Sequence, residues 1–72
     1  MCGKVRLKFG NCHTHAGDVV AKLNGKQVGR TSWNQSKTIE LAFKDGDILE
    51  LTEIENGFIA LYGLNITSCS TC

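Results

Sequence analysis

Apolar and charged residues alternate from the start of the chain: in Lys4-Val5-Arg6-Leu7-Lys8-Phe9 the apolar side chains take the odd positions and the cations the even ones. A period of two places the two sets on opposite faces of a strand, so this segment predicts a half-buried β-strand. Residues 11–17 are polar, are bordered by Gly10 and Gly17, and read as a loop. Residues 18–23 and 26–30 flank Asn24-Gly25, the pair that best tolerates positive φ at both central positions of a type I′ turn, and they predict a hairpin. Residues 31–36 are polar around Trp33 and read as a second loop. Residues 37–43 and 48–54 alternate again and predict a second hairpin, joined through Lys44-Asp45-Gly46-Asp47. Glu55-Asn56-Gly57 then turns the chain into Phe58-Ile59-Ala60-Leu61-Tyr62-Gly63-Leu64-Asn65-Ile66. That segment is apolar on both faces and is expected at the centre of a sheet, covered on both sides.

Six short strands with no 3.6-residue apolar period predict an all-β fold. The expected form is a small antiparallel β-sandwich or barrel, jelly-roll-like or Greek key, without significant helix and with residues 1–72 as one domain. A chain of 72 residues is too short for a doubly wound nucleotide-binding domain. A core of this size contributes no more than about 3–5 kcal/mol, so a covalent or metal staple is expected. The uncharged stretch 56–72 is broken by Gly57, Gly63 and Asn65, which argues against a membrane-spanning helix.

The formal net charge of +1 hides an uneven distribution. Up to residue 37 the chain carries seven cations against Asp18 alone, a net of +6; beyond it Lys44 stands against six carboxylates, a net of −5. The two halves could neutralise each other by cross-strand pairing, or present opposite surfaces that favour association between molecules. The cations alternate along a strand without an aromatic stacking platform, so a nucleic-acid partner is not expected.

Cys2, Cys12, Cys69 and Cys72 are candidate disulfide residues. A straight first strand antiparallel to the last would put Cys2 beside the C-terminal pair and Cys12 at the far end; a parallel arrangement would reverse this. The alternative is an intracellular zinc or copper site drawn from Cys12, His13, His15, Cys69 and Cys72, because thiolate and imidazole suit both metals. Disulfides go with a secreted, extracellular protein, and metal ligation with a cytoplasmic one.

Catalysis has little support: no Ser lies in a nucleophile elbow, and Cys12 and His13 are neighbours in sequence rather than a base-activated pair. The protein is therefore not expected to be an enzyme or to need a cofactor. Asp45 and Asp47 are a weak candidate for calcium, against the simpler reading of a solvated turn. Asn34-Gln35-Ser36 and Asn65-Ile66-Thr67 fit the glycosylation sequon, with Asn34, in a loop, the better acceptor.

Trp33, Asn34 and Gln35 could form a sugar platform, an aromatic face with amides for hydroxyl groups. The competing reading has Trp33 capping the core and Tyr62 packed within it. Phe58, Ile59, Ala60, Leu61, Tyr62, Leu64 and Ile66 would make an assembly strand if their segment lay at a sheet edge, since it has no charge and no Pro.

Two alternating strands around Phe43-Lys44-Asp45-Gly46-Asp47, followed by the uncharged strand 58–66, resemble the closing hairpin of jelly-roll carbohydrate-binding and adhesion modules. The resemblance covers residues 37–66 and implies a binding role. The expected function is thus a non-enzymatic module whose partner is a second copy of itself or an extracellular glycan or protein.

Overall fold

A computed structural model gives the fold and describes residues 2–12 and 16–69. Its six strands are β1 (Cys2–Asn11), β2 (Asp18–Leu23), β3 (Lys26–Thr31), β4 (Ser36–Lys44), β5 (Leu49–Ile54) and β6 (Ile59–Cys69). They form two three-stranded sheets, ordered β4-β1-β6 and β3-β2-β5, with antiparallel neighbours throughout. The fold is all-β, as the alternation predicts, and no described residue is helical.

Alternation decides what the central strand β1 buries, whereas β2, the other central strand, buries Val19, Val20 and Ala21 in succession. Val5, Leu7 and Phe9 of β1 are 5%, 2% and 0% exposed, while Lys4, Arg6 and Lys8 between them lie in solvent. Leu7 and Phe9 meet Val19 and Ala21 of β2, and Val28, Ile39, Leu49, Leu51 and Ile59 close around this cluster. A Cβ on Gly29 would stand 3.1 Å from Phe9 Cζ, so a glycine there leaves room for the ring. Asn24 and Gly25 take φ of 53° and 81°, the left-handed pair a type I′ turn requires, and β2 and β3 form the expected hairpin.

Three expectations are corrected. Residues 37–43 and 48–54 do not pair with each other: β4 pairs with β1 and β5 with β2, so the turn at 44–47 carries the chain between sheets. Each strand has one apolar face, and placing Ile39 and Leu41 in one sheet and Leu49 and Leu51 in the other lets both faces point into the space between them. Asn11, read as a loop residue, ends β1 with only 1% of its surface exposed. Its Nδ2 donates to the Gly17 carbonyl at 2.9 Å and its Oδ1 accepts from the Phe58 N–H at 2.7 Å, fixing the entry to β2 and β6. Finally, β6 is an edge strand, hydrogen-bonded to β1 alone among the described strands.

Candidate functional site

The uncharged segment therefore lies where a strand can accept another. β6 is the longest strand, at eleven residues. Leu61, Tyr62, Leu64 and Ile66 along it, and Phe58 just before it, are each more than half exposed. Only Ile59 joins the core. Leu64 and Ile66 stand opposite Leu7 and Val5, so they share the face that points toward the second sheet. A register shift between Lys8 and Phe9 pairs Lys8 with Gly63 and Phe9 with Leu61, leaving Tyr62 as the extra residue of a bulge. Tyr62 turns to the outer face, where Lys8 Nζ lies 6.0 Å from its ring centroid. Tyr62 is thus exposed rather than buried within the core.

The second sheet does not cover this end of β6. Between the sheets lies an open apolar groove of about 460 Å³, lined by Val5, Phe43, Leu64 and Ile66 on one side and by Leu23 and Leu49 on the other. Asp47 stands at its rim. Its carboxylate accepts from Asn24 Nδ2 and from the Lys44 N–H, each at 2.9 Å. The Asn24 bond first, then the Lys44 amide and the Lys44 charge, holds the Asp47 carboxyl below its ordinary pKa. One oxygen thus caps the Asp47 turn itself and the other reaches Asn24 in the β2–β3 turn.

The other three edge strands carry charges: Lys26 and Arg30 on β3, Lys37, Glu40 and Lys44 on β4, Glu50 and Glu53 on β5. Charged side chains at an edge oppose pairing with further chains, and β6 has none.

Trp33 lies in the loop between β3 and β4 and is 58% exposed, so it does not cap the core. Asn34 sits at the turn with φ of 55°. Gln35 is occupied in holding the loop: its Oε1 accepts from the Ser32 N–H at 3.0 Å and its carbonyl accepts from the Asn11 N–H at 3.1 Å. Trp33 and Asn34 are both exposed. Asn65, expected to be buried, is exposed on β6 opposite Arg6, because its strand lies at the edge.

The β1–β6 ladder places Cys2 directly opposite Cys69. Cys12 is at the other end, half-buried, with its N–H donating to the Phe58 carbonyl at 2.9 Å. At about 3.3 Å per residue, the length of β1 separates Cys12 from Cys69 by about 30 Å. The proposed ligand set thus does not converge, since Cys12 and Cys69 stand at opposite ends of one sheet. His13, His15 and Cys72 lie outside the described residues, among which no cluster of three potential ligands occurs.

Charge is only partly neutralised by pairing. Lys22 faces Glu50 and Arg6 faces Glu40, but β1, β4 and β6 together hold five cations and one carboxylate, a net of +4 on one sheet. Reading the two chain halves missed this, because it is the pairing of basic β1 with uncharged β6 that creates the surface.

Comparisons with protein-family models, with curated proteins and with solved structures found no match, so function is read from this chain's own geometry.

Proposed function

We propose that the protein is a non-enzymatic, self-associating structural module whose copies join through the open edge of β6. The observation that carries this is the combination of an edge that no other described strand pairs with, no charge along eleven residues, and four large apolar side chains more than half exposed on it. An edge strand offers a row of backbone donors and acceptors, and a second β6 supplies their complement. Antiparallel pairing of two such strands about a two-fold axis would continue β4-β1-β6 into a six-stranded sheet. It would also bring each copy's Leu61, Leu64 and Ile66 beside those of the other, withdrawing them and the apolar groove from water.

A disulfide between Cys2 and Cys69 would staple the same sheet. Directly opposed residues of an antiparallel pair have Cα atoms about 4.5–5.5 Å apart, within the range a disulfide spans. Such a bridge fits an oxidising, extracellular setting.

Hydrogen–deuterium exchange at rising protein concentration tests the assembly. The β6 amides that point away from β1 are expected to slow as the copies pair; equally fast exchange from micromolar to millimolar concentration would refute it.

Exposure of the Trp33 ring favours a second reading, glycan stacking on the β3–β4 loop. Trp33→Ala is expected to abolish binding on a glycan array, and unchanged binding would exclude that platform.

A further inference from the structure

The outer face of the β4-β1-β6 sheet is a second surface, independent of the β6 edge. Lys4, Arg6 and Lys8 project from the central strand at intervals of about 6.6 Å, the repeat of alternate residues on a strand. Being on the central strand, they are held in register on both sides. Thr38 and Glu40 of β4 flank them on one side, and Asn65 and Thr67 of β6 on the other. Arg6 stands opposite Asn65, and this pair separates two shallow hollows of about 310 and 420 Å³. Lys4, Glu40 and Thr67 line the first; Lys8 and Thr38 line the second. Among the described residues the one carboxylate on this face is Glu40, 3.9 Å from Lys4 Nζ with both side chains largely in solvent, so it offsets little of the charge. Beyond Lys8 the row ends on Tyr62, whose ring lies against Gly10: a Cβ there would be 3.1 Å from Tyr62 Cε2.

We propose that this face binds an acidic glycan chain, its sulfate or carboxylate groups on Lys4, Arg6 and Lys8 and its hydroxyl groups on Thr38, Asn65 and Thr67. Charge complementarity selects a polyanion, and the flanking residues select among polyanions. A spaced row of fixed cations matches a polymer with regularly repeated anions, while hydroxyl and amide side chains on both flanks suit a ligand rich in hydroxyls. Single-stranded nucleic acid is disfavoured because its binders offer successive open aromatic faces. Among the described residues Tyr62 is the only ring beside the row, and Lys8 lies over it.

The probe is a fluorescent heparin oligosaccharide, with single-stranded and duplex DNA of equal charge as comparisons. Arg6→Gln/Lys8→Gln removes two cations from the face without touching the core, and Lys22→Gln/Lys26→Gln removes the same charge from the other sheet; circular dichroism checks both folds. The first pair is expected to weaken heparin binding at least tenfold and to lower the slope of log affinity against log salt by about two, while the second changes it less than twofold. Heparin binding unchanged by the first pair, or weakened equally by both, overturns the site. DNA binding as tight as heparin overturns the choice of glycan.

Discussion

Asn24 and Asp47 join two turns that lie 23 residues apart in the chain: Asn24 Nδ2 donates to Asp47 Oδ1 at 2.9 Å, and Asn24 Oδ1 accepts from the Ile48 N–H at 2.8 Å. The Asn24 N–H completes the clasp by donating to the Ile48 carbonyl at 2.8 Å. The β2–β3 hairpin turn is thereby fastened to the crossover between the sheets, at the mouth of the apolar groove.

The clasp makes stability depend on pH in a defined direction. Asp47 is held below its ordinary value of 3.8 in the folded protein, so it stabilises the fold above that value and the contribution disappears as pH falls through the lower, folded pKa. Asp47→Asn is expected to lower the melting temperature at pH 7, and the gap from wild type should close in strong acid. Thermal melts at both pH values check this; a gap constant with pH would contradict it.

Asn11→Ala removes the side-chain bonds to the Gly17 carbonyl and the Phe58 N–H, both part-buried. The expected cost is about 1–3 kcal/mol by urea unfolding, from the loss of two part-buried hydrogen bonds. A loss below about 1 kcal/mol would mean that other donors and acceptors replace the side chain.

The proposed Cys2–Cys69 bridge would close nearly the whole chain. Loop-closure entropy puts its contribution at about 4 kcal/mol, before any native-state strain. Non-reducing peptide mapping with fragmentation between residues 69 and 72 is expected to link Cys2 to Cys69, and Cys69→Ser to lower the melting temperature. Linkage of Cys2 to Cys12 or Cys72 would contradict the register argument.

Much of the fold is legible in the chain because local chemistry and tertiary packing agree. The alternation around Val5, Leu7 and Phe9 and the Asn24-Gly25 turn state their outcome directly, and each is found as read. The partner of each later strand is less legible. The spacing of 37–43 and 48–54 fits either a hairpin or a crossing between sheets, since both bury the same faces. β6 failed for another reason: the pattern of apolar residues reports which surfaces avoid water, not which strands are hydrogen-bonded on both sides. Central β1 carries cations on its open face, whereas apolar β6 lies at an edge, and two three-stranded sheets have central places only for β1 and β2. Leu64 and Ile66 are then left more than half exposed. Asn11 was unreadable because its bonds reach forward to Gly17 and Phe58, and nothing in the local sequence announces the second.

Sedimentation velocity of the wild-type protein and of Leu64→Lys, across a range of concentrations, tests assembly through β6 most directly. Leu64 is 53% exposed, so a lysine should leave the monomer folded while placing a charge on the proposed interface. The wild type is expected to form dimers or larger species as concentration rises, and the variant to remain monomeric. A wild type that stays monomeric up to millimolar concentration, or a variant that associates equally well, would contradict the account.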